Sequence, residues 1–199
     1  IAEFDASGVL SSGVMITKEV TTETGAKADP SLRAARVVAA DTSTTKIIRM
    51  NPDGTNNTDF VTSSTPGIYG GTNANVIRYP SITPDGKWVV FVAGTAATKK
   101  IHAKLLNSDA SGTAINLNVG TNPEDPVVSP DMSSLIWVEN DGGQRSIKKI
   151  GVVFNAEAGT ASTIGSAITL GGNEAGLWND KNPSFSPDGT KIIFVSDRD

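Results

Sequence analysis

Residues 183–199 read Pro183-Ser-Phe-Ser-Pro187-Asp188-Gly189-Thr-Lys-Ile192-Ile-Phe-Val195-Ser-Asp-Arg-Asp199. A short extended run meets a Pro-Asp-Gly turn, and a run rich in β-branched and aromatic residues follows it. Proline fixes φ near −65° at the first central position of the turn. Aspartate accepts hydrogen bonds from the backbone that follows, and glycine tolerates positive φ. The stretch predicts a tight β-hairpin.

The same pattern recurs upstream, at Pro80-Ser-Ile-Thr-Pro84-Asp85-Gly86 and Pro126-Val-Val-Ser-Pro130-Asp131-Met132. Each copy leads into an apolar run, Trp88–Val92 and Leu135–Val138. In the second of these Met132 replaces glycine, which predicts a different turn or strain there. A degenerate copy opens at Asp29-Pro30-Ser31-Leu32 and continues at Val37–Ala40 without the Pro-Asp-Gly turn. Trp88 and Trp137 read as corresponding residues of the second strand, packing between neighbouring units.

A second motif alternates with the first: an extended segment that ends in an Asn- or Asp-containing turn. It starts at Ile1, Ile47, Ile101 and Ile150, in steps of 46, 54 and 49 residues, and passing from Ile150 through Asp199 back to Ile1 takes 50. Repeats at this period read as one supersecondary unit each. The expected fold is all-β, a four-bladed β-propeller of antiparallel four-stranded blades at roughly 32–58, 82–120, 127–168 and 184–199. Residues 1–199 form one domain in this reading. The inner hairpin at 184–199 is completed by outer strands from 1–20, so that both termini share the last blade. The extended runs Gly13–Thr17 and Thr58–Thr62 read as outer strands.

The Pro-Ser-Phe-Ser-Pro-Asp-Gly and Ile-Ile-Phe-Val-Ser-Asp-Arg-Asp stretches resemble the repeat of TolB-type β-propellers, whose blades carry a similar "PSWSPDG" hairpin followed by "IAFVSDRDG". The resemblance is strong at 183–199, good at 79–92, fair at 125–138 and poor at 29–40. It implies four-stranded blades about a central axis, export from the cytoplasm, and binding to other proteins.

Composition narrows the function classes. A net charge of −4 and the absence of any Lys/Arg run longer than a pair leave no footprint for a phosphate backbone, so nucleic acid is not expected as a partner. No apolar stretch approaches the roughly 20 residues of a membrane span. With no cysteine, thiolate chemistry and cysteine-ligated zinc are excluded. His102 is the only histidine, too few for a histidine metal cluster. No Gly-x-Ser-x-Gly elbow marks a nucleophile. The aspartates of the Pro-Asp-Gly turns read as turn closers rather than acids or ligands. No catalytic residue, resident metal or cofactor is expected; Asp197 and Asp199 offer at most a structural cation site.

Two loops precede innermost strands and carry most of the aromatic residues outside the strands. One runs from Pro66 through Tyr69 to Asn75 and leads to Arg78 and Tyr79; the other runs from Gly171 to Asp180 and contains Trp178 and Asn179. The expected binding site is therefore Tyr69, Arg78, Tyr79, Trp178, Asn179 and Asp180, gathered at the channel mouth. The function read from the sequence is a periplasmic or extracellular scaffold that binds a protein or glycan partner there. One alternative is a small polysaccharide lyase or hydrolase using carboxylates and a cation. The other is a structural subunit that assembles by exchanging terminal strands, so monomer and assembly both stay open.

Overall fold

The structure, a computed structural model, describes residues 14–16, 37–41, 45–170 and 178–197. Its first sheet contains β1 (Val14–Ile16), β2 (Val37–Asp41), β3 (Lys46–Met50) and β4 (Thr58–Val61). The second contains β5 (Val76–Ile82), β6 (Trp88–Gly94), β7 (Lys99–Leu105) and β8 (Ile115–Asn116). The third contains β9 (Pro123–Val128), β10 (Ser134–Asp141), β11 (Gln144–Asn155) and β12 (Thr160–Thr169). A fourth unit contributes the hairpin β13 (Lys181–Phe185) and β14 (Ile192–Val195). Within each sheet the strands lie in chain order and pair antiparallel, which is the meander of a propeller blade. The inner strands pack in succession, β5 against β9 and β9 against β13. The fold is a β-propeller with four blade units.

The three Pro-Asp hairpins share one hydrogen-bond scheme, and it uses the residue before the proline. Thr83 accepts the Gly86 N–H on its carbonyl at 2.8 Å, and its hydroxyl donates to Asp85 Oδ1 at 2.5 Å while accepting the Trp88 N–H at 3.0 Å. Ser129 does the same with Met132, Asp131 and Ser134, and Ser186 with Gly189, Asp188 and Lys191. These contacts hold the Asp131 carboxyl down to about 2, with the Ser129 hydroxyl the chief cause.

Met132 keeps this same turn with φ at 64°, beside 70° at Gly86 and 71° at Gly189. The departure from glycine is therefore strain, not a different turn. A left-handed L-residue costs roughly 1–2 kcal/mol, and the half-buried Met132 side chain recovers part of it by packing on the core. Met132→Gly should raise stability by up to about 1 kcal/mol. A higher urea midpoint with unchanged slope checks it.

The core lies between blades. Every residue of β6 is buried, because both of its faces are covered. Val89, Phe91 and Ala93 meet Val38, Ile47, Phe60 and Val61 of the first sheet. Trp88, Val90 and Val92 point the other way, against Leu135, Trp137, Ile150 and Val152 of the third. This corrects the pairing of the two tryptophans. Counted from the proline turn, Trp137 corresponds to Phe91 and Phe194, not to Trp88. Successive side chains of a strand alternate faces, so Trp88 and Trp137 approach one interface from opposite sides.

At the first interface Lys104 is fully buried. Its Nζ donates to the carbonyls of Ala110 and Gly112 and lies 5.4 Å from the Phe60 ring centroid. Burial pulls the amine down to about 8 against the opposing charge of Asp109. Arg49 approaches the same ring at 5.5 Å and donates to the Leu106 and Ser108 carbonyls. Together the two cations tie the 106–112 loop to the first blade.

Within the expected outer strands at 1–20, the run at 14–16 takes a different place. Val14–Ile16 pairs with β2, Met15 opposite Ala40, and so serves as the first strand of the first sheet rather than as an outer strand on β14. An aliphatic run forms this ladder more readily than Pro30-Ser31-Leu32, where proline removes a donor. The other residues of 1–20, and Pro30 itself, lie outside the described residues. On β14, Ile193 is 69% and Val195 61% exposed, whereas the corresponding Val90, Val92, Ile136 and Val138 are all 0%.

Candidate functional site

The inner strands β5, β9 and β13 each carry a bulge at the dipeptide that opens the repeat motif. The ladders shift register between Arg78 and Ser81, across Glu124–Val127 and between Lys181 and Ser184. At these points Tyr79 precedes Pro80 with φ 55°, Asp125 precedes Pro126 with φ 48°, and Asn182 precedes Pro183 with φ 51°. Proline has no N–H for the ladder, and it excludes right-handed helical backbone from the residue before it. The three prolines are buried, which leaves the preceding residue to absorb the bend in left-handed backbone.

These equivalent positions on three successive blades come together. Asn182 Nδ2 donates to Asp125 Oδ2 at 3.3 Å. Beside them Arg145 Nε meets Glu124 Oε2 at 2.9 Å, and Asn140 Nδ2 donates to Glu124 Oε1 at 2.9 Å. Burial opposes the Glu124 charge, but the Arg145 and Asn140 hydrogen bonds outweigh it and hold the carboxyl below its ordinary range. Asp125 has the opposite balance: burial first, then the charge of Glu124, push it up. Tyr79 is half-buried against the core, and burial followed by the charges of Glu124 and Asp125 raises its phenol.

The expected residues fall around this rim unevenly. Tyr79 is in it. Arg78 is exposed on β5 beside it. Asp180 is fully buried and donates its N–H to the Arg145 carbonyl at 3.0 Å. Asn179 bridges to Arg145 and donates through its backbone and side chain to Asp197, at 2.6 and 2.9 Å. Trp178 is half-buried next in sequence, and residues 171–177 lie outside the described residues. Tyr69 has a different local role: its N–H donates to His102 Nε2 at 2.9 Å. Its loop is pinned by Gly67, where a Cβ would lie 1.9 Å from the Ala114 carbonyl oxygen.

Sequence reading missed Asp125, Asn182, Glu124, Arg145 and Asn140. A signal for the first two was present: Tyr79-Pro80, Asp125-Pro126 and Asn182-Pro183 align, yet the motif was read from the proline onward. Arg145 and Asn140 flank the β10–β11 turn and have no counterpart in the repeat. Among the described residues no group of three or more His, Asp or Glu side chains could hold a metal ion.

No protein-family model matches the chain, and no curated protein matches it. Solved structures do. A TolB structure from Acinetobacter baumannii matches with TM-score 0.50 and 21% identity, over 96% of this chain and 41% of its own. The chain has a TolB-like β-propeller fold. Other matching structures have different descriptions. A puromycin-hydrolysing peptidase of Mycobacterium tuberculosis matches with TM-score 0.60 and 15% identity, over 90% of this chain and 27% of that one. A nidogen/laminin complex matches with TM-score 0.56 and 15% identity, over 80% of this chain and 52% of that one. The chain thus spans about a quarter to a half of the length of these structures.

Proposed function

We propose that this propeller is a non-catalytic interaction module that works outside the cytoplasm and takes a protein partner at the rim formed by Tyr79, Asp125 and Asn182. The observation that carries the reading is the convergence of three strained, repeat-equivalent residues from three blades. Left-handed backbone ahead of proline persists only where the surroundings enforce it, and such strain gathers at ligand-holding positions. The chemistry of the rim favours binding over catalysis. Glu124 is occupied by Arg145 and Asn140, and both ring nitrogens of His102 are engaged, by the Lys100 carbonyl and the Tyr69 N–H. The likeness to TolB and to a structure of two associated proteins supports a protein as the partner, and the cysteine-free composition suits export.

The test is a photo-crosslinking residue at the exposed Arg78 position, used in cells that produce the protein. A discrete protein adduct is expected. In the double variant Tyr79→Asn, Trp178→Ala its yield should fall at least about tenfold while the thermal midpoint stays within a few degrees. Asparagine is chosen because it tolerates left-handed backbone. Undiminished crosslinking in the double variant overturns the assignment of this rim.

A further inference from the structure

The rim contains two neighbouring carboxylates with unequal surroundings. Glu124 is compensated by the Arg145 guanidinium, with a second contact from Nη2 to Oε1 at 3.4 Å. Asp125 belongs to neither the Lys46–Asp59 nor the Arg145–Glu124 ion pair. Asp125 receives neutral donors from Asn182: its side-chain amide, at the long end of hydrogen-bond distance, and its backbone N–H. It sits at the junction of β9 and β13, half-buried but reachable, with the exposed Asn182 on one side. The Asn182 backbone N–H and the Arg145 charge also favour the carboxylate, but burial and the neighbouring Glu124 charge outweigh them, and a cation is a group that would relieve that imbalance.

The surroundings also discriminate between ligand classes. An anion finds no unoccupied guanidinium at Arg145, which is engaged by Glu124. A sugar ring needs an open aromatic face, and Tyr79 is packed on the core with Leu105, Ile115 and Val119. At the Tyr79 phenol the charges of Glu124 and Asp125 each act more strongly than those of Arg78 and Arg145.

We infer that the partner presents a lysine or arginine side chain at this rim, with its cationic head ion-paired to the Asp125 carboxylate and flanked by Tyr79 and Asn182. The inference deepens the interaction reading above and rests on it. The Asn182 amide oxygen and the Tyr79 hydroxyl supply neutral acceptors for the remaining N–H groups of the cation. Left-handed backbone is common to 79, 125 and 182, and the side chains of the last two meet directly.

The experiment is a nitrogen-15 NMR titration of the full chain with two blocked pentapeptides, Gly-Gly-Lys-Gly-Gly and the same sequence with norleucine for lysine. The lysine peptide should shift amides at 78–79, 124–127 and 181–184, more weakly as salt rises. The norleucine peptide should bind at least about tenfold more weakly. Asp125→Asn, which keeps the size and tolerates the backbone, should remove the difference between the two peptides, whereas Asp59→Asn on the remote β4 should preserve it. Equal binding of the peptides to the parent chain overturns the inference, as does a lysine preference that survives Asp125→Asn. Rim shifts from a neutral disaccharide in place of the lysine peptide also overturn it. If the peptides fail while rim-dependent crosslinking at position 78 persists, the cation is refuted and the interaction reading survives.

Discussion

Lowering the pH from 7 to 4 should weaken this fold by about 3 kcal/mol through one side chain, His102. The ring is fully buried and stacks on Phe91 with centroids 5.5 Å apart. Its Nδ1 donates to the Lys100 carbonyl at 3.0 Å, and its Nε2 accepts the Tyr69 N–H at 2.9 Å. That arrangement fixes the neutral tautomer, because a proton on Nε2 would confront another donor. Burial drives the imidazole from 6.5 down to about 4, with the Lys100 hydrogen bond opposing. Between those two values the unfolded chain binds more protons than the folded one. Stability is therefore full above about 6.5 and falls by roughly 1.4 kcal/mol per pH unit until the folded value is reached. Asp131, at about 2, titrates below this window. Urea titrations from pH 7.5 to 4 would show the slope, and His102→Gln should flatten it while lowering stability at neutral pH. An unchanged slope in that variant would assign the acid response elsewhere.

Trp137→Ala should cost about 3–5 kcal/mol, the range for deleting a large buried aromatic. Trp137 is 2% exposed and fills the seam between the second and third blades opposite Trp88 and Val90. Its indole N–H donates to Glu139 Oε2 at 2.9 Å. Glu139 Oε1 also accepts the N–H groups of Thr121 and Asn122, so the carboxylate keeps partners when the indole is lost. The cost is then chiefly the cavity, a large share of a domain's usual 5–15 kcal/mol. Trp137→Phe should cost far less, because phenylalanine already stands at the corresponding positions 91 and 194. Equilibrium unfolding in urea measures both, and a loss below about 1 kcal/mol for the alanine variant would show that the seam closes over the gap.

Hairpins were legible in the sequence because their chemistry is local. Pro84, Pro130 and Pro187 set a dihedral angle, and Asp85, Asp131 and Asp188 close a turn within five residues. What surrounds a blade was harder to read. The apolar run of β6 shows that both faces are covered but not by which neighbour, so Trp88 and Trp137 were matched by residue type when alternation separates them. Strand partners at the chain's start were ambiguous for a related reason. Val14–Ile16 is a good strand sequence, and nothing in its composition decides between the edge of β2 and the edge of β14. The rim is the clearest case. Tyr79, Asp125 and Asn182 differ in type and share only the proline that follows, and their meeting depends on three separate sheets turning about one axis.

Lys104 has a consequence for observing the molecule in motion. Its amine is enclosed between the first two blades and capped by loop carbonyls, so a reagent that acylates surface lysines passes it over in the native state. Whenever that seam breathes, the amine meets water and reagent together and is acylated as an ordinary lysine would be. Mass spectrometry of timed acylation would then record, without any engineered probe, how often the first blade lifts from the second.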